Sequence, residues 1–185
     1  NVVLDAHKRI VHAVAGDVTE AHRAGCAFLE RHYLAPIPAR ADIVLVSQGG
    51  APKDANLYQL QKALDNARHA VKPGGVIVLM GFGEETFEQW FRQAESPEDL
   101  VERLRANFTL GGHKAAAIAL VEQTADVYLV SDWPDAEVRA IFMTPFPTAQ
   151  AALDAAFAKC GGEASVLAMP YGGSTLPRAA DDRRS

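Results

Sequence analysis

The sequence is poor in cysteine and has no long apolar run. Its two cysteines, Cys26 and Cys160, do not have the CxxC spacing of a redox or zinc motif. We expect two buried, reduced thiols, although the sequence alone leaves a disulfide between them open. No stretch approaches the roughly 20 apolar residues that a transmembrane helix needs, and the first residues show no signal-peptide pattern. These features predict a cytoplasmic protein.

The sequence also lacks a strong charge of either sign. Its 185 residues carry a formal net charge of −5, and charged residues make up 22% of them. No basic patch interleaved with aromatic residues occurs, so we expect neither a nucleic acid nor a membrane as partner. An anionic ligand would therefore need a local group of positive side chains.

An initiator methionine is missing as well. Asn1 leads directly into Val2, Val3 and Leu4, an apolar pattern typical of a strand. We therefore expect the sequence to be part of a longer polypeptide, the alternative being a chain trimmed by only a residue or two.

Short apolar runs alternate with segments of helical periodicity. The runs 42–47, 75–80 and 126–131 are rich in β-branched residues, which is typical of parallel strands buried on both faces. Further strands are expected at 139–143 and 165–169. Helices are expected at 17–32, 53–71, 96–107, 113–123 and 148–159. This alternation predicts an α/β fold, a three-layer sandwich with a mainly parallel, Rossmann-like sheet.

We expect a single α/β domain over residues 1–178 and a frayed tail over 179–185. The N-terminal hairpin and the first helix could instead form an appendage to that domain.

Ligands of open α/β sheets bind beyond the carboxyl ends of the strands. Three loops qualify here: 48–54, 81–85 and 131–135. None of them contains GxGxxG or a P-loop, so no motif supports nucleotide binding. Gly49-Gly50, ahead of a helix, could hold an anion on backbone N–H groups, but a plain tight turn is the favoured interpretation.

One predicted helix has a polar face that could bind an anion. At about 100° per residue, its polar side chains lie opposite its apolar stripe. The stripe consists of Leu57, Leu60 and Leu64, and the polar face of Tyr58, Gln59, Lys62 and Asn66. A lysine ammonium beside a glutamine amide offers several donors to a carboxylate. The alternative is an ordinary solvated helix face.

The six histidines do not have the spacing of metal ligands, and no Ser/His/Asp series or GxSxG motif is present. We therefore expect no metal site built from this chain alone. His113 differs from the others because it follows Gly111-Gly112 at a predicted helix start. A capping or packing role is the alternative for it.

Three stretches resemble the C-terminal half of the nickel-pincer lactate racemase family. They are ADIVLVSQGGAPKDANLYQLQKAL at 41–64, VKPGGVIVLM at 71–80 and LGGHKAAAIA at 110–119. Gly16-Asp17 and Ala21-His22 extend the resemblance upstream, so that it covers most of residues 1–130. The segment 49–64 is its most specific part.

The resemblance implies an isomerase that racemises or epimerises 2-hydroxy acids with a nickel-pincer nucleotide, in a cleft between two domains. It places the metal ligands and the catalytic residues in an N-terminal domain, a partner absent from this sequence. The isolated chain would then be inactive. In this chain it implies that Gln59 and Lys62 bind the substrate's carboxylate or hydroxyl group and that Tyr58 lines the cleft.

The resemblance also implies a contact with the cofactor at His113, where some family members carry a stacking aromatic residue. In this chain a histidine stands there in place of a tryptophan. The alternatives are a free-standing α/β module that binds a nucleotide or small anion, and a degenerate domain kept for oligomer contacts.

Overall fold

The computed structural model describes residues 1–5, 7–81 and 88–180, with only the backbone of Glu88. Its contacts divide the chain into two compact units, Asn1–Ala35 and Pro36–Ser185. The first unit coincides with the hairpin and helix that could form an appendage. A single domain over 1–178 stays a prediction.

The first unit is a hairpin followed by a helix. Strands β1 (Val2–Leu4) and β2 (Ile10–Ala13) pair antiparallel. Helix α1 (Val18–Tyr33) begins after Asp17, whose side chain accepts hydrogen bonds from the N–H groups of Thr19 and Glu20. Aspartate is one of the residues that helix N-caps favour.

The second unit is an α/β sandwich. Strand β3 (Leu34–Ile37) leads into it across the boundary between the units. Its sheet contains the strands β4 (Ala41–Ser47), β5 (Val71–Met80), β6 (Asp126–Val130), β7 (Thr144–Phe146) and β8 (Val166–Met169). All neighbours in the order β7-β6-β5-β4-β8 are parallel. The predicted Rossmann-like sheet is therefore confirmed.

Helices connect these strands and cover both faces of the sheet. They are α2 (Leu57–Ala67), α3 (Glu88–Phe91), α4 (Pro97–Ala106), α5 (Gly112–Glu122), α6 (Asp135–Ala140) and α7 (Ala149–Cys160). A 3₁₀ turn (Gly172–Ser174) and strand β9 (Leu176–Ala179) follow. Within the described residues, no helix combines the length and apolar character that crossing a bilayer requires.

The sheet alternates its side chains between two cores. Val44 and Val46 of β4 pack on the face that carries α2, α4 and α5, whereas Ile43 packs on the face that carries α7. Because both faces are covered, the strands are apolar along their length, which is the pattern that the sequence shows.

The predicted strand 139–143 is wrong, since residues 135–140 form helix α6. Asp135 and Glu137 in its first turn and Arg139 in its last complement the helix dipole. Phe142, with a φ of 63°, then redirects the chain into the edge strand β7. The apolar residues Ile141 and Met143 follow the helix in a turn and are buried in the core. A run this short does not distinguish such a segment from a strand.

Three further boundaries differ from the prediction. Helix α2 begins at Leu57, where the Asn56 side chain accepts from the N–H of Gln59, and not at residue 53. Strand β5 begins at Val71, four residues early, and its register to β4 shifts there. Ala179, the first residue of the predicted tail, is fully buried at the end of β9, and residues 181–185 lie outside the described part.

Both cysteines are free thiols, as expected, but each is half-buried and not fully buried. In α1 the Cys26 sulfur lies 3.5 Å from the His22 ring nitrogen Nε2. In α7 the Cys160 sulfur lies 3.8 Å from the backbone oxygen of Asp42.

Candidate functional site

Helix α2 starts at the carboxyl edge of the sheet, because it follows β4 and leads back to the start of β5. Its leucines at 57, 60 and 64 are fully buried and fix the rotation of the helix on the sheet. Tyr58 is consequently 41% exposed, Lys62 is exposed and Gln59 is half-buried. The predicted polar face therefore exists at the end of the fold where α/β proteins bind ligands.

The three predicted substrate-binding residues contact one another on this face. The Nζ of Lys62 donates a hydrogen bond of 2.6 Å to the Oε1 of Gln59. The same Nζ lies 5.9 Å from the centroid of the Tyr58 ring. This pairing agrees with the helical spacing of three residues. The fourth polar residue, Asn66, serves its own domain by donating to the Gly172 backbone oxygen at 2.8 Å.

Helix α5 brings the Gly-Gly-His segment to the same edge of the sheet. Gly111 has a φ of 94°, and a Cβ built on it would lie 2.9 Å from Cη2 of Trp90. A Cβ on Gly112 would lie 2.5 Å from Cδ2 of Leu104. The two glycines thus permit a close packing that places the start of α5, with His113 in its first turn. The tryptophan near this segment comes from α3, about 20 residues earlier in the sequence.

Lys114 is a residue that the sequence did not single out. Its Nζ donates to the Oε1 of the buried Gln61 at 3.1 Å and lies 4.9 Å from the centroid of the Tyr58 ring. Helices α2 and α5 pack on each other and bring these groups together. Lys114 is part of the segment 110–119 that resembles the family. Its contact with Gln61 joins residues 53 positions apart, and helical spacing cannot predict such a contact.

His113 is exposed. Among the described residues, no hydrogen bond or ring contact joins it to Tyr58, Gln59 or Lys62. Its expected role as a cofactor contact therefore stays a prediction.

The Gly49-Gly50 turn does not have the geometry of an anion site. Helix α2 begins seven positions after Gly50, so the turn is not at a helix N-terminus. The N–H of Gly49 donates to the Ser47 hydroxyl at 3.1 Å, and a Cβ on Gly49 would lie 2.8 Å from the Tyr171 ring. The favoured interpretation as a tight turn agrees with these contacts.

A pocket of about 310 Å³ lies at the carboxyl ends of the strands. It is lined from all three predicted loops, by residues that include Asp54, Gly81, Ser131 and Asp132. Residues 82–85 of the second loop lie outside the described part. Asp54 is buried, and its Oδ1 lacks a hydrogen-bond partner among the described residues. Because the carboxylates of Asp54 and Asp132 line this pocket, it suits an anionic ligand less well than the face of α2 that carries Tyr58, Gln59 and Lys62. This face is called the lysine-bearing face of α2.

The described residues contain no group of three His, Cys, Asp or Glu side chains that could hold a metal ion. No metal ligand is assigned within these ranges.

A comparison with known protein families decides the family of this chain. The model of the lactate racemase C-terminal domain matches residues 37–176. The chain belongs to the lactate racemase C-terminal domain family. This match contains α2 and α5, and therefore every residue of the lysine-bearing face.

Two curated lactate racemases are similar over nearly the whole chain. The enzyme of Thermoanaerobacterium thermosaccharolyticum is 33% identical over 96% of this chain, and the enzyme of Lactiplantibacillus plantarum is 31% identical over 93%. These matches cover 44% and 43% of the two relatives. The chain thus spans less than half the length of these relatives.

Solved structures show the same relationship. The lactate racemase apoprotein of T. thermosaccharolyticum superposes with a TM-score of 0.82 at 30% identity, covering 96% of this chain and 45% of that protein. A Thermotoga maritima protein superposes with a TM-score of 0.56 at 17% identity, which shows a shared fold alone.

Proposed function

We propose that this chain is the substrate-side domain of a 2-hydroxy acid racemase or epimerase of the lactate racemase type. The observation that carries the proposal is the family match, which includes a polar face with Gln59 and Lys62 at the carboxyl edge of the sheet. Because the chain spans 44% of a curated relative, we further propose that another domain of the same polypeptide completes the cleft.

Lys62 and Gln59 have the chemistry to bind a 2-hydroxy carboxylate. The Lys62 ammonium carries three N–H donors, of which one is used on the Oε1 of Gln59. The remaining donors can reach a carboxylate oxygen in a charge-assisted hydrogen bond. Gln59 accepts through Oε1, so its Nε2 hydrogens remain to donate to a carboxylate or hydroxyl oxygen. Tyr58, which contacts the same ammonium, would line the cleft and exclude water from one side of the ligand.

The reaction itself needs groups beyond this chain. In this proposal a nickel-pincer nucleotide, when bound, supplies hydride acceptance and return at the substrate carbon. The described residues do not fit a nickel ligand set, because no three candidate ligands gather among them. We therefore place the metal ligands and catalytic histidines in the other domain, and we retain only His113 as a contact with the cofactor. A cytoplasmic location stays a prediction.

Replacement of Lys62 by alanine in the complete polypeptide tests the proposal. A hydrogen bond to a charged group contributes about 1.5–3 kcal/mol, so Lys62→Ala should lower the affinity for a 2-hydroxy acid about 10- to 100-fold. Activity at subsaturating substrate should fall by a similar factor. Calorimetric titration with lactate and a racemisation assay measure the two effects.

Lys159 provides the matched control. It is also exposed, but it pairs with Asp126 at the amino edge of the sheet, opposite the proposed site. Lys159→Ala should therefore leave affinity and turnover unchanged. Equal behaviour of the two variants would remove Lys62 from the site, and high-affinity binding of a nucleotide in place of a hydroxy acid would favour a binding module.

A further inference from the structure

Two ammonium groups flank one aromatic ring on the proposed substrate face. The Nζ of Lys62 lies 5.9 Å and the Nζ of Lys114 lies 4.9 Å from the centroid of the Tyr58 ring. Both distances are within the range in which a cation interacts with an aromatic ring. Tyr58 thereby joins a lysine of α2 to a lysine of α5.

Among the residues that the structure describes, neither of these charges has an ion-pair partner. Within the described ranges of the chain, the partners of Lys62 and Lys114 are neutral amide oxygens and the Tyr58 ring, and no ion pair involves either lysine. Lys72 and Lys159, in contrast, pair with Asp42 and Asp126 at 2.8 and 2.5 Å. In a chain of net charge −5, two ammonium groups within 6 Å of one ring, without an ion pair in the described part, form a local positive site.

The environment of Lys114 makes its position more defined than that of a free surface lysine. Its side chain is half-buried between α2 and α5, and its Nζ is held on the Oε1 of Gln61, which is only 5% exposed. A lysine held in this way loses less rotamer freedom when it binds a ligand. One hydrogen bond leaves two N–H donors on the ammonium.

We propose that Lys114 is a second anion-binding residue of this site, which binds the 2-hydroxy carboxylate together with Lys62. The inference rests on the proposed function, since it assigns a ligand of the same class to the same face. It adds a residue from a second helix, so that the orientation of the carboxylate depends on the packing of α5 on α2.

The test compares four variants of the complete polypeptide without cofactor. Lys114→Met removes the ammonium and keeps most of the apolar stem, and Lys114→Arg restores the charge. Gln61→Met keeps the lysine but removes the hydrogen-bond acceptor, so it reports any purely structural role of the Lys114 contact. Lys159→Met is the control for the loss of a paired charge. Calorimetric titration with lactate gives the dissociation constant, and urea unfolding monitors stability.

We expect Lys114→Met to raise the dissociation constant about 5- to 50-fold, with a weaker dependence of binding on salt. Lys114→Arg should recover most of the loss. Gln61→Met should lose less affinity than Lys114→Met, because the ammonium stays but is no longer held by the amide. Lys159→Met should bind normally. Normal binding by Lys114→Met would overturn the inference, as would an equal loss in Gln61→Met. If Lys62→Ala still loses affinity in that case, the proposed function survives without Lys114. If neither lysine matters, both proposals fail.

Discussion

Replacement of Gly111 by alanine tests how the start of α5 is positioned. The backbone φ of 94° is in the region that side chains disfavour, which costs an alanine about 1–2 kcal/mol. The added Cβ would also lie 2.9 Å from Cη2 of Trp90, a contact that requires the indole or the helix to move. Overpacking of this kind costs about 1–3 kcal/mol. Gly111→Ala should therefore destabilise the protein by about 2–5 kcal/mol in urea unfolding.

Gly74 separates the two contributions. It has a φ of 77°, but no atom lies within 4 Å of the position that a Cβ would take there. Gly74→Ala should therefore show the backbone cost alone, about 1–2 kcal/mol. The double variant Gly111→Ala/Trp90→Phe lacks Cη2 and should recover part of the overpacking cost, which gives a coupling between the two substitutions. Equal destabilisation by Gly111→Ala and Gly74→Ala, without coupling to Trp90, would refute this account of the packing.

Two carboxyl groups predict opposite effects of pH on stability. Burial, and secondarily the charge of Glu98, raises the pKa of Glu122 well above its usual value, so the folded state retains a proton that the unfolded state releases. The contribution of this group to stability is full at low pH and declines above the unfolded pKa of about 4.3. Glu122→Gln should therefore match the wild type near pH 4 and be more stable than the wild type near pH 8. An equal difference in stability at both pH values would contradict the assignment. At Asp42, hydrogen bonds from Lys72 and then Ser165 lower the pKa, so its contribution is present above about pH 3.9 and is lost as the pH falls towards the folded pKa. Asp42→Asn should be less stable than the wild type at neutral pH, and this difference in stability should become smaller as the pH falls in acid-unfolding curves. A difference that stays constant with pH would contradict a role of the ion pair.

The sheet could be predicted from the sequence because its strands are buried on both faces. Such strands appear as short, continuous apolar runs, and three of them, ending at Ser47, Met80 and Val130, lie where they were expected. The edge strand β7 could not be found in this way. It has only three residues, all half-buried, and the apolar residues directly before it lie in the turn that follows helix α6.

The residues of the lysine-bearing face of α2 could be predicted from the sequence, whereas Lys114 of α5 could not. Tyr58, Gln59 and Lys62 share one helix, so a period of 3.6 residues is sufficient to place them together. Lys114 reaches the Tyr58 ring through the packing of α5 on α2, and no local pattern encodes that packing. Gln61 lies on the buried side of α2, so the sequence pattern does not indicate that it accepts a hydrogen bond from a lysine.

The central claim is that Lys62 binds the carboxylate of a 2-hydroxy acid in a cleft completed by another domain. A crystal structure of the complete polypeptide with lactate tests it most directly. The account predicts a carboxylate oxygen about 2.7–2.9 Å from the Nζ of Lys62, with the ligand between the face of α2 and the other domain. A ligand bound elsewhere, with the face of Tyr58, Gln59 and Lys62 open to solvent, would contradict it.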